Sequence, residues 1–351
     1  MLAALRMTDG PPRVAFLPFD NRRGSSLLRM YNIAEACSRA GWQCLVVAPD
    51  LSRVQRDRVL RLMRPDLLIV QGTRHPLNRR AMLQSQPYVL DLDDADFHNP
   101  RYAAALPELA AGAAGVIAGS RYIAAWAKDH NPNVEIVWTG APRRDSDIVP
   151  MAQIDRPRIL CWAQTAPLSY PHELAFVASV VEAILARGSG PLTFRFYDLH
   201  PERVASLPPV FRNPRIILQL FPLMEYRAFV ASLGDVRVGL CPLRTEHSFS
   251  RGKSFGKVLA YLEARVPVIC NDAADHALFF TATSGIVRDT VEEFAAETVM
   301  LLDDPSRRGR MADEAYDAFA RRLSTERAAE LVRNFAIRSV PALRRAGSVA
   351  A

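Results

Sequence analysis

The sequence has 351 residues, with 44 Lys+Arg against 37 Asp+Glu, a formal charge of +7, 49% hydrophobic and 23% charged residues. That balance excludes a disordered chain, because enough apolar surface is present to offset chain entropy, and at ~100–200 residues per domain the length suggests two domains. No window approaches the ~18–20 apolar residues of a membrane span, and Met1–Met7 reads as too short for a signal peptide.

In chain order, short β-branched runs alternate with helical patterns. Strands are predicted at Val14–Phe19, Cys44–Ala48, Leu67–Val70, Tyr88–Leu92, Gly115–Ala118 and Val134–Trp138. A loop over Arg22–Ser26 leads into a helix to about Arg39, and further helices are predicted at Leu51–Met63, Asn78–Leu83, about Ala103–Ala111 and Tyr122–Lys128. Such alternation implies right-handed βαβ units and a parallel sheet covered on both faces. It stops over Gly140–Pro157, where Pro142, Pro150 and Pro157 flank Arg143, Arg144, Asp145 and Asp147; this reads as a linker.

The pattern then restarts, with strands at Ile159–Ala163, Thr193–Tyr197, Arg215–Leu220, Val236–Cys241 and Pro267–Cys270. Helices are predicted at Glu173–Leu185, Met224–Leu233, Lys253–Ala264, about Val291–Leu302 and Ser306–Arg321. A last amphipathic helix starts at Ser324, a suitable N-cap, and runs to about Arg338. The expected organisation is a first Rossmann-like domain over 1–150, a second over 151–323, and a helix and tail over 324–351 that crosses back to the first. In doubly wound sheets ligands bind at the carboxyl ends of the strands.

Several residues fall at such ends. Gly24 and Ser25 lie where a strand meets a helix; Gly24 permits close backbone approach, and the following N–H groups can meet a phosphate or a sugar hydroxyl. A polar loop of no wider meaning fits equally. His75 follows a strand end, as a candidate acid or base or as a structural histidine. Asp91, Asp93, Asp94, Asp96 and His98 offer oxygen ligands to a metal, but strand alternation prevents all of them from converging. Helix capping and acceptor hydrogen bonds from Asp94 and His98 are preferred, and no metal is expected. Arg53, Arg56, Arg58, Arg61 and Arg64 give one helix a basic face, either merely solvated or suited to anionic lipid. Nucleic acid is not expected, since no RNP, KH or zinc-finger signature is present.

The five cysteines are scattered and odd in number, which points to reduced thiols and a cytoplasmic location, with a peripheral contact to the inner membrane face as an addition. Only Lys128, Lys253 and Lys257 are lysines, and two of them lie four residues apart. Phe255, Val258, Leu259 and Leu262 form the buried stripe of their helix, leaving Lys253 and Lys257 on the other face. Arg251, Lys253 and Ser254 at the helix start would attract phosphate or carboxylate; the competing reading is a solvated helix face.

Leu240-Cys241-Pro242-Leu243, then Lys253-Ser254, Lys257, Tyr261 and Pro267-Val268-Ile269, resemble the donor-binding core of GT-B glycosyltransferases of the family 4 type. Phe221-Pro222 before Glu225-Tyr226 is similar to that family's donor-side turn, and Asp91-Leu92-Asp93-Asp94 and Ala118-Gly119-Ser120 to strand ends of its first domain. The resemblance implies an α/β GT-B fold of two Rossmann-like domains facing a central cleft. It implies transfer from a UDP- or GDP-type sugar donor, retaining and free of metal or other cofactor, to a glycan or lipid-linked acceptor. Arg244, Arg251, Lys253, Ser254, Lys257, Phe221 and Pro222 would hold the donor. Gly24, Ser25, Asp94 and His98 would hold the acceptor, and His75 and Lys253 would serve catalysis. Two departures matter: the family's ribose-binding glutamate falls on Ala260, and its small residue before Pro-Val-Ile falls on Arg265. A Gly-Arg loop expected after the second domain's first strand is replaced by Ala163-Gln164-Thr165-Ala166. These changes leave two alternatives open, a GT-B module that binds without transfer and a sugar-nucleotide epimerase.

Overall fold

The computed structural model describes residues 10–83, 85–143, 150–188, 190–246 and 248–345. The chain divides into two compact units, Met1–Pro142 with Ser324–Ala351, and Arg143–Leu323. The expected boundary at 150 thus moves to 142. Residues 144–149 of the predicted linker lie outside the described part.

The first unit holds β1 (Arg13–Leu17), β2 (Gln43–Val46), β3 (Leu67–Gln71), β4 (Tyr88–Leu92), β5 (Gly115–Ala118) and β6 (Val134–Ile136). They form one parallel sheet in the order β2-β1-β3-β4-β5-β6. Both faces are covered, so inner strands read as unbroken apolar runs rather than alternating ones. On one face Val14, Phe16, Leu67 and Ile69 pack with Met30, Ile33, Val332 and Phe335. On the other, Ala15, Leu68, Val70 and Leu90 pack with Leu60, Leu106 and Ile123. The last helix, Thr325–Ser339, is capped by Ser324 and belongs to the first face, although the whole of the other unit, Arg143–Leu323, precedes it in sequence. A Cβ on Gly115 would stand 2.5 Å from the Phe335 ring, so β5 needs glycine there.

The second unit holds β7 (Ile159–Trp162), β8 (Leu192–Tyr197), β9 (Ile216–Phe221), β10 (Val238–Cys241), β11 (Val268–Cys270) and β12 (Ile286–Val287). Their order is β12-β11-β10-β7-β8-β9 and every pair is parallel. β12 has two residues and carries no periodic signal, so the sequence reading missed it. The chain winds outward to β9 and then in the opposite sense from β10, which makes the β7/β10 junction the topological switch point.

Residues 151–157 are not a free linker. The buried Arg156 guanidinium donates to the carbonyls of Met151, Val236 and Ala264, and Arg308 donates to that of Gln153 at 2.6 Å. The segment is fastened to the second unit because each carbonyl it would otherwise bury unpaired has a donor.

Candidate functional site

In the second unit the residues of interest gather at the switch point. Tyr261, 1% exposed, sits on the helix Gly256–Glu263. Its hydroxyl accepts the Ala163 N–H at 2.6 Å and lies 3.0 and 3.1 Å from the Leu240 and Cys161 carbonyls. It thereby joins the ends of β7 and β10 where their following loops part. Gly239 makes room for its ring, since a Cβ there would come within 2.5 Å of it.

The loop after β10 is built from inside. Leu243 donates its N–H to Asn271 Oδ1 at 2.7 Å, and Asn271 Nδ2 donates back to the Leu243 carbonyl. Glu173, 3% exposed and in the first turn of the helix Pro171–Ala186, accepts the Arg244 N–H at 3.1 Å and the Ser250 hydroxyl at 2.9 Å. A buried carboxylate from the helix that follows β7 therefore fixes the loop after β10. Glu173 was missed as a site residue; a lone glutamate in a helical run gives no sequence signal of a partner 71 residues away.

The predicted helix start is corrected. Ser248–Arg251 is a separate turn, the helix begins at Gly256, and Ser254 Oγ accepts the Gly256 N–H at 3.4 Å. Lys253 is not on a solvated face. It is 5% exposed, with Nζ 4.4 Å from the Phe249 ring centroid and 5.5 Å from that of Tyr170. Arg251 stays exposed and donates to the Thr245 carbonyl at 2.9 Å. Arg244 pairs with Glu246 and lies 4.9 Å over the Phe176 ring. Lys257 falls in the helix, but its side chain lies outside the described part. Phe221 ends the edge strand β9, packed on Tyr197 and under the Arg195 guanidinium, and Pro222 follows it exposed.

The position of the expected ribose carboxylate stays vacant of one. Ala260 is 4% exposed, and the nearby Glu263 accepts the Tyr226 hydroxyl at 2.7 Å. Below the site, His276 is wholly buried among Phe255, Phe279 and Phe280. Its Nδ1 donates to the Asn271 carbonyl at 3.1 Å while Nε2 has no hydrogen-bond partner, and burial pushes its pKa down to about 4.

In the first unit, Gly24 is exposed with φ +47° and opens a helix whose N-cap, Arg23, supplies no capping oxygen. Ser25 and Ser26 both turn to Gln71 at the end of β3: Gln71 Nε2 donates to Ser25 Oγ at 3.4 Å, and Ser26 Oγ donates to Gln71 Oε1 at 2.7 Å. The helix continues as a π-helical stretch over Leu27–Tyr31, which carries Arg29. Arg29 donates to both oxygens of Asp91 at 2.8 and 2.7 Å, and to the Val137 carbonyl and the Thr139 hydroxyl. Thr139 donates in turn to Asp93 at 2.6 Å. The acidic run thus divides in two, for Asp94 and Asp96 instead face Arg74 at 2.6 and 2.7 Å. Among the described residues no group of three His, Cys, Asp or Glu could hold a metal.

His75 has both ring nitrogens engaged: Nδ1 accepts the Leu77 N–H at 3.1 Å, so Nε2 carries the proton and donates to the Pro49 carbonyl at 2.9 Å. Burial lowers its pKa. This is the bonding of a histidine that shapes a loop, and it leaves no ring nitrogen open for proton transfer. His98 is exposed, bonded to the Tyr122 hydroxyl at 2.8 Å, beside a stack of Phe97 on Trp126.

No family model matches the chain, and no curated protein is similar to it by sequence. Solved structures are similar in fold. HepE of Anabaena, solved with UDP and glucose, superposes with a TM-score of 0.62 at 14% identity over 92% of this chain and 98% of its own. The fold is that of GT-B glycosyltransferases. Sucrose-phosphate synthase of Thermosynechococcus elongatus has a TM-score of 0.69 at 11% identity, covering 93% of this chain and 99% of its own. An alpha-glucosyltransferase solved with UDP-glucose and DNA reaches 0.68 at 13% identity, again over 93% and 99%.

Proposed function

We propose that the protein is a glycosyltransferase that moves a sugar from a nucleotide-activated donor, of UDP or GDP type, to a glycan or lipid-linked acceptor. The observation that carries this reading is the fold likeness to HepE, solved with UDP and glucose, along nearly the whole chain. The second unit supports it with a basic loop held at the switch point of its sheet. A diphosphate leaving group gains negative charge as the sugar departs, and cations and N–H groups fixed in advance stabilise that charge. Arg244 and Arg251 lie on this loop, Lys253 is buried next to them in sequence, and Glu173 fixes the loop's shape. Retention of anomeric configuration and independence of metal belong to the same proposal.

Isothermal titration with UDP, GDP and their glucose conjugates tests it. Binding of one nucleoside diphosphate together with release of sugar to an acceptor is the expected result. No binding of any of them at millimolar concentration rejects it.

Ala260 favours one other reading, a GT-B protein that binds a nucleotide sugar without transferring it. Losing a carboxylate removes one bidentate acceptor for the ribose hydroxyls, and Glu263 is committed to Tyr226. Donor binding with neither hydrolysis nor transfer is the outcome that selects this reading.

A further inference from the structure

The helix Arg53–Met63 runs between β2 and β3. Its inner side buries Leu60, with Val59 and Met63 packed beside it. Arg56 is on that side too: it is 5% exposed and donates to Asn78 Oδ1 at 3.0 Å, which corrects its expected place on the basic face.

The outer side departs from ordinary surface in two ways. Val54 and Leu62 are 74% and 76% exposed, the two most exposed large apolar side chains among the described residues. They stand four residues either side of exposed Arg58, so the three form one stripe, with Arg61 beside it. The arginines are also unbalanced. Some exposed arginines elsewhere face carboxylates, as in Arg39–Glu35 and Arg338–Glu135. Among the described residues Arg58, Arg61 and Arg64 have no carboxylate within ion-pair distance. The single acid on the helix, Asp57, is turned to Arg53 at 3.9 Å. Leu45, 38% exposed, is register partner of Ala15, whose sheet face this helix covers.

Arginine alone would suit nucleic acid as well as lipid. Two bulky aliphatic side chains standing out between the arginines suit a partner with an apolar layer just beneath an anionic one. We infer that the outer face of Arg53–Met63 docks on an anionic lipid bilayer, with Val54 and Leu62 entering the headgroup boundary and Arg58, Arg61 and Arg64 meeting lipid phosphates. This contact stands apart from sugar transfer and is measured without it.

Co-sedimentation of the full chain with vesicles provides the test. The protein binds phosphatidylcholine vesicles containing phosphatidylglycerol and not vesicles of phosphatidylcholine alone. Changing Arg58→Gln with Arg61→Gln weakens binding about thirtyfold, the loss due to two basic side chains beside an anionic surface. Leu62→Ser weakens it about tenfold through lost apolar burial. All three side chains are exposed, so circular dichroism melting of the variants matches that of the parent. Absence of binding to the anionic vesicles overturns the inference, as does equal binding by the variants. Retention on duplex DNA, with no vesicle binding, assigns the arginines to nucleic acid and overturns it as well.

Discussion

Arg29 and Asp91 form an ion pair with both side chains 3% exposed, 62 residues apart in sequence. Burying two charges costs more than their attraction returns unless every polar atom is bonded, and here the Val137 carbonyl, Thr139 and Asp93 complete the set. Removing one partner strands the other. Arg29→Met should lower unfolding stability by about 3–5 kcal/mol in urea, with Asp91 left as an unpaired buried carboxylate. His276 makes a different prediction. Its folded pKa of about 4 lies below the ordinary 6.5, so the unfolded chain binds the proton first. Its contribution is complete above pH 6.5 and is lost as pH falls from there towards 4, amounting to about 3 kcal/mol when complete. A His276→Phe variant should show a shallower decline over that window than the parent.

At the scale of elements, the junction of β7 and β10 depends on shape more than on charge. Gly239 and Tyr261 are complementary: the ring occupies the volume of the missing Cβ while its hydroxyl takes the Ala163 N–H. Gly239→Ala should destabilise the protein by about 1–3 kcal/mol, the usual cost of overfilling a packed site, and weaken nucleotide binding by moving the loop after β7. Arg156 illustrates how an arginine-rich composition is used. It pairs with three carbonyls instead of a carboxylate, and burial lowers its pKa to about 10. Arg156→Met leaves those carbonyls unpartnered and should cost about 3 kcal/mol, read as a lower denaturant midpoint. Lys253 sits under the same logic. Its ammonium lies over two aromatic rings, so Lys253→Ala should reduce stability by about 1–2 kcal/mol besides any effect on diphosphate affinity.

For the molecule as a whole, two parallel sheets, of six strands and five, were expected from two successive runs of strand–helix alternation, and the described residues contain two of six, the short β12 being the addition. If the second unit binds a nucleoside diphosphate as proposed, the ligand stabilises the folded chain in proportion to its excess. UDP at a hundredfold over its dissociation constant should add about 2.7 kcal/mol to unfolding, seen as a concentration-dependent rise in melting temperature. Adenosine at the same concentration, lacking the diphosphate, should produce none. Among the described residues no helix is long and apolar enough to cross a membrane.

Local periodicity is a property of adjacent residues, and it was legible. Tyr88–Leu92 and Gly115–Ala118 were bounded from apolar runs alone, and Phe255, Val258, Leu259 and Leu262 are all buried as their spacing required. Ser324 was readable as a cap because a capping hydroxyl bonds only three residues ahead. What a charge faces is settled by chain segments that meet only after folding. Sequence placed Lys253 on an open helix face, and the arrival of Tyr170 from the loop after β7 buried it. It grouped Asp91, Asp93, Asp94 and Asp96 as one run, and two arginines from different elements divided them. The sequence by itself therefore determined the elements and their alternation, since these follow from side-chain spacing along a few turns. Tertiary structure alone decided which ionisable groups are spent inside the fold and which remain to meet a ligand, because burial and pairing depend on partners tens of residues distant.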